Sequence, residues 1–217
     1  MKQIQILGCA AIALVAATAL IGVSSASAVT LCKVEGLEEC NSNNRYGLPQ
    51  LFKAAAEGSI STYDSGSIEN NCFNSEIKGK FTTNDGKEAG LLGLIETLTF
   101  GLCGQCSEQK AENLPWKVTL LGHGDMHFTN HGSGNPALLL KCKLMTGTLA
   151  CLYELKEGLM SVLGGDVNGT LALIGVDQVF SVTGNDSGMA CLTMGNIVLK
   201  GGYIATEPDP WFVSLRP

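Results

Sequence analysis

The sequence predicts an all-β protein: a single antiparallel β-sandwich stapled by disulfides, with at most one short helix. Three observations carry that prediction. Short apolar or alternating runs recur along the chain, broken by Gly, Asn, Asp and Ser, as in sandwiches and barrels built from many short strands. No strand-helix alternation of the parallel-sheet kind is present. The cysteines number nine, and eight remain once the N-terminal segment described next is removed, an even set suited to pairing.

Residues 1–28 read as a secretory signal peptide. Lys2 supplies a positive start, Ile6 to Val23 is apolar, and Ala26-Ser27-Ala28 forms a small-residue cleavage signal that predicts a cut between Ala28 and Val29. The apolar run is long enough to cross a bilayer at about 18 residues. It ends, however, at the cleavage signal with no Lys or Arg stop behind it. Residues 29–217 then form one domain, long enough to bury about 70% of its extended surface. This mature chain holds 13 basic and 20 acidic side chains. That excess argues against nucleic-acid binding by phosphate neutralisation and against adsorption to an anionic membrane face. The mature chain offers no membrane span.

The expected strands, in order, are Gly58 to Tyr63, Glu76 to Thr82, Thr97 to Phe100, Lys117 to Leu121 and Met126 to Thr129. Ala137 to Cys142, Leu149 to Leu155, Thr170 to Ile174, Val179 to Thr183 and Ile197 to Leu199 follow. Turn residues separate them: Asn84-Asp85-Gly86, Gly132 to Pro136, Gly164-Gly165-Asp166, Asn185 to Gly188 and Gly201-Gly202. Leu48 to Glu57, LPQLFKAAAE, is balanced between helix and strand. Its Ala and Leu favour a helix, Pro49 suits a first turn and Gly58 ends it.

An even cysteine set in an exported chain reads as disulfides, and eight cysteines allow 105 pairings. Spacing suggests Cys32–Cys40 around KVEGLEE and Cys142–Cys151 around a hairpin turning at Thr146-Gly147. It also suggests Cys103–Cys106 as a local staple, which leaves Cys72–Cys191 as the long-range link.

Two stretches carry candidate chemistry. In FGLCGQC, Cys103 and Cys106 have the C-x-x-C spacing of thiol-disulfide enzymes. Those enzymes place the first cysteine at a helix N-terminus within a βαβ unit. Here SEQKAEN could begin a helix capped by Ser107, but Pro115 limits it to about two turns, and a strand end with a local disulfide fits better. No second C-x-x-C or H-x-x-x-H lies at zinc-finger spacing. In GHGDMHFTNHG stand all three histidines, His123, His127 and His131, with Asp125 near them. On a strand, residues four apart are separated by about 13 Å, too far for one ion with bonds of about 2 Å. Only a turn at Gly122 to Gly124 would bring His123 back to His127. Otherwise they are outward polar positions, with Met126 and Phe128 inward.

Hydrolase elbows, metalloprotease motifs and phosphate-binding loops are absent. Glu38-Glu39 reads as solvated surface. Asn168-Gly169-Thr170 and Asn185-Asp186-Ser187 match the glycosylation sequon. Trp116 and Trp211, each beside proline, could form an exposed platform, but large aromatics are mostly buried, so both are read as core anchors.

Five landmarks, ASAVTLCKVEGLEEC, LTFGLCGQC, NLPWKVTL, CKLMTGTLACLYE and the terminal PDPWFVS, together resemble a group of exported, cysteine-containing proteins of soil actinobacteria, a family of unknown function. The resemblance implies a cysteine-stapled β-sandwich and a strand at Leu48 to Glu57. It supplies no catalytic residues, and the histidine stretch departs from it. The expected function is a non-enzymatic structural or binding role in the cell envelope or extracellular space. No cofactor is called for, and the partner would be an envelope polymer or a protein. The rival is a secreted thiol-disulfide or metal-dependent activity at Cys103/Cys106 or His123/His127/His131.

Overall fold

The computed structural model describes residues 29–34, 40–63, 69–84, 90–121, 125–132, 134–144, 147–155, 160–165, 172–185, 191, 195–208 and 212–215. Residues 1–28, His123 and the proposed turn around it, Glu38-Glu39, the first sequon, the last two residues of the second and Trp211 lie outside these residues. Every described element is a strand, and every pairing between strands is antiparallel.

The strands are β1 Val29–Cys32, β2 Gln50–Ala56, β3 Ile60–Tyr63, β4 Glu69–Phe81, β5 Gly90–Cys103, β6 Cys106–Glu112 and β7 Trp116–Leu121. Then come β8 Asp125–Thr129, β9 Ala137–Leu144, β10 Gly147–Glu154, β11 Met160–Gly165, β12 Ala172–Asn185, β13 Ile197–Glu207 and β14 Phe212–Leu215. The larger sheet runs β13–β3–β4–β5–β7–β8–β11–β12, and β12 pairs back onto β13, so its hydrogen bonding closes into a ring. Closure removes exposed strand edges from that layer. β12 is long enough to serve both layers. Its Leu173–Phe180 portion pairs with β13, and its Ser181–Asn185 portion pairs with β10. β10, β9 and β6 continue the second layer, with β6 outermost. β1 and β14 pair with each other, Val29–Cys32 against Phe212–Leu215.

Within Leu48 to Glu57, residues Gln50–Ala56 form strand β2, not a helix. β4 pairs with it on one side and β13 on the other, and these ladders outweigh local helix propensity. Phe52 and Ala54 point inward, and Phe52 stacks on Phe81 with centroids 4.8 Å apart. Phe52 has room because residue 79 is glycine: a Cβ there would stand 2.6 Å from the Phe52 ring. β2 and β3 occupy a single place in the ring, interrupted at Glu57 to Ser59, where Gly58 has φ +81°.

Gly201-Gly202 is not a turn, as its composition suggested, but the middle of β13 opposite that interruption. A Cβ at Gly201 would stand 2.4 Å from Ile60 Cδ1, so the glycine serves close packing of backbone on side chain.

One continuous core fills the fold. It includes Phe52, Ile77, Phe81, Leu91, Ile95, Val118 and Leu120 from the ring strands, with Leu138, Leu140, Leu149 and Tyr153 from the second layer. Charged residues stand outside. Glu76 pairs with Lys53 and Lys78, Glu96 with Lys80, and Glu108 with Lys141. Hydrogen bonds from Lys53 and Lys78 hold the Glu76 carboxyl below its usual range, and Lys141 does the same for Glu108. These pairs are solvent-exposed and contribute little to stability.

Inside, Ser75 Oγ donates to Thr99 O at 2.6 Å, so the Tyr203 hydroxyl, 2.7 Å away, donates to Ser75. Burial raises the Tyr203 pKa far above that of a free phenol. The unfolded chain ionises this tyrosine near pH 10 and the folded chain does not. The stability contribution is therefore complete below about pH 10 and is lost above it, at about 1.4 kcal/mol per pH unit. Tyr203→Phe is expected to flatten the alkaline fall in unfolding free energy by that slope. Urea titrations of both proteins at pH 9, 10 and 11 check this, and parallel losses would refute it.

Candidate functional site

The C-x-x-C stretch is where the two layers meet. Cys103 ends β5 and Cys106 begins β6, which lie in different layers. Each cysteine faces a register partner on a neighbouring strand, Cys72 on β4 for Cys103 and Cys142 on β9 for Cys106, and each is bonded to that partner. The four bridges are Cys32–Cys40, Cys72–Cys103, Cys106–Cys142 and Cys151–Cys191.

Of the expected pairs, Cys32–Cys40 is present, and Cys103–Cys106, Cys72–Cys191 and Cys142–Cys151 are not. Ladder register explains the difference. In the β9–β10 hairpin, Cys142 stands opposite Leu149 and Cys151 opposite Leu140, two residues out of step. That leaves Cys142 to β6 and Cys151 to Cys191. With Cys103 and Cys106 held in separate bridges, the stretch contains no dithiol pair of the kind that thiol-disulfide enzymes use.

A buried polar cluster sits behind the two central bridges. Asn70 Oδ1 accepts the Cys106 N–H at 3.0 Å, and its Nδ2 donates to Gln109 Oε1 at 2.7 Å and approaches Cys72 Sγ at 3.5 Å. Thr62 Oγ1 also donates to Gln109 Oε1, at 3.1 Å. One amide thus touches both bridges, and β3, β4 and β6 are fixed to one another. Gln109 Nε2 is buried with no hydrogen-bond partner. Sequence reasoning missed this cluster, since SEQKAEN suggested a helix start and Glu69 to Ser75 lay outside the expected strands. The one available signal was the amide beside Cys72, which gives no hint of its distant partners.

The histidines do not assemble. His127 is half-buried on β8, and His131 is exposed beyond its end. His127 stands opposite Thr119 on β7 and Met160 on β11. Phe128 points inward as expected, its ring edge-on to Trp116 at 6.4 Å. Among the described residues, no three His, Cys, Asp or Glu side chains are grouped to hold a metal. Trp116 is 4% exposed and donates its indole N–H to Glu112 O at 2.8 Å, so it anchors core and does not form a platform. No helix among the described residues is long and apolar enough to cross a membrane.

A different place breaks the pattern of the surface. Phe73 is 64% exposed and Leu102 75% exposed. The pairs Cys72–Cys103 and Asn74–Gly101 on either side set them across from each other on β4 and β5. Leu102 has φ +50°, in the left-handed region that a branched side chain rarely enters. No known protein family, curated protein or solved structure matches the chain.

Proposed function

We propose that the protein is exported and serves as a non-enzymatic structural or binding protein of the cell envelope or extracellular space. The observation that carries this reading is the set of four disulfides in a two-layered β fold with no helix among the described residues. Such bridges persist in oxidising compartments and are rare where thiols are kept reduced. The signal-peptide pattern at residues 1–28 and the resemblance to exported actinobacterial proteins point the same way. The division of Cys103 and Cys106 between two bridges favours a structural use of the C-x-x-C over a catalytic one.

The test is fractionation of the producing cells, with thiol alkylation before lysis and mass spectrometry of the recovered chain. The expected result is a chain beginning at Val29, outside the cytoplasm, with all eight remaining cysteines oxidised. A cytoplasmic chain that keeps residues 1–28 and carries alkylated cysteines would refute the proposal.

A further inference from the structure

The Phe73–Leu102 pair stands where alternation fails on both strands. On β4, Cys72 and Ser75 are buried while Phe73 and Asn74 between them are exposed. On β5, Phe100 packs against the core, and Leu102, two residues on, is turned out. Two exposed residues in succession roll the ladder over, and the left-handed backbone of Leu102 is part of that roll. A large apolar side chain held outward by an unfavourable backbone state suggests function more than packing. The Cys72–Cys103 bridge closes the ladder immediately beside the pair, so the platform is rigid before any ligand arrives.

The surroundings say which ligand. Asn74 follows Phe73, and its side chain lies along Gly101, where a Cβ would stand 3.8 Å from its Nδ2; Asn71 stands two residues before Phe73, its Oδ1 accepting the Ser61 hydroxyl at 2.6 Å with a second lone pair left over. Thr99 is exposed farther along β5. Amides and hydroxyls both donate and accept, which matches the hydroxyl groups of a sugar, while the flat apolar face of Phe73 suits a sugar ring's C–H face. Glu69, whose carboxylate is 3.5 Å from Asn71 Nδ2, is a charged group at the Asn71 end of the platform and opposes an anionic polymer there, while at the Thr99 end Glu76 is already paired with Lys53 and Lys78. Area excludes a stable protein partner on this patch alone. The two side chains expose roughly 200–300 Å² together, against about 800 Å² per partner in a standard interface.

Resting on the reading of an exported binding protein, we infer that Phe73 and Leu102, with the Asn71 and Asn74 amides, form a binding platform for a neutral glycan chain.

The experiment is affinity electrophoresis of the mature protein in native gels. The gels contain laminarin, hydroxyethyl cellulose or glycogen as neutral probes, and alginate as the anionic one. At least one neutral probe is expected to retard the protein, and alginate is not. Phe73→Ala is expected to weaken that retardation about tenfold and Phe73→Trp to retain it. Leu102→Gly, which relieves the left-handed backbone and folds at least as well, is expected to weaken it too. Near-UV circular dichroism and disulfide mapping confirm that the variants are folded. Retardation by alginate alone, by no probe, or equally for Phe73→Ala would overturn the site. The cell fractionation result is independent of all three outcomes, so loss of the glycan site and loss of the exported reading are told apart.

Discussion

Cys106→Ala/Cys142→Ala is expected to lower the unfolding free energy by about 3–4 kcal/mol, the entropy that a cross-link of this loop length removes from the unfolded chain. The bridge spans a sequence separation of 36. It matters beyond chain entropy because β6 is the outermost strand of its layer and pairs with β9 alone among the described strands. Both sulfurs belong to buried residues, 2% and 1% exposed, so alanine is the suitable replacement and serine would bury a hydroxyl. The Asn70 bond to the Cys106 N–H remains and keeps the start of β6 near β4. Urea unfolding without reductant should show a lower midpoint. A loss under about 1 kcal/mol would mean that β6 is held by its other contacts alone. The same change at Cys32–Cys40, with a separation of only 8, is expected to cost less, about 2.5 kcal/mol.

Asn84→Ala is expected to cost about 2–4 kcal/mol, because it removes the side-chain acceptor of the buried Leu31 N–H and a donor to each of Leu31 O and Tyr46 O, of which Leu31 O keeps the Tyr46 N–H. Asn84 is 5% exposed, and its side chain behaves as an extra strand for β1. Its Oδ1 accepts the Leu31 N–H at 2.7 Å, and its Nδ2 donates to Leu31 O at 3.1 Å and Tyr46 O at 2.9 Å. Asn84→Asp is the sharper variant. It has the same shape but turns an acceptor towards two carbonyl oxygens, so its carboxyl is favoured in the protonated form and its folded pKa rises. A raised carboxyl pKa gives stability that is present at low pH and lost as pH rises. Asn84→Asp should therefore approach the wild type near pH 4 and fall below Asn84→Ala at pH 8, read by thermal unfolding at both pH values. Equal behaviour of the two variants across pH would contradict the bonding scheme.

The all-β class was legible because strands such as β3 and β7 alternate with period two against a single core. Legibility failed where that period breaks. β4 and β5 are far longer than Glu76 to Thr82 and Thr97 to Phe100 suggested. Their ladder shifts register between Lys78 and Gly79 and exposes Phe73 and Asn74 in succession. β6 carries a shift between Cys106 and Glu108, which hides its inward side, Cys106, Gln109 and Ala111, from any simple alternation. Asn84 reads as a turn residue, and only the distant β1 gives it a buried role. The cysteine pairs depend on register to the residue, and a slip of two between Cys142 and Cys151 was enough to reassign three bridges.

The order of the bridges along the chain bears on how the protein is made. Each of the eight cysteines from Cys32 to Cys191 is bonded to the next or to the previous one, and no bridge encloses or crosses another. If the chain is exported as proposed, N-terminus first, each second cysteine to emerge is the native partner of the one waiting. An oxidant that joins thiols in their order of appearance arrives at this one connectivity out of 105, with no reshuffling. Cys103 and Cys106 emerge almost together, but Cys72 is already outside when Cys103 arrives. Cys106 is then left for Cys142, and under the proposed export the bridges close in chain order.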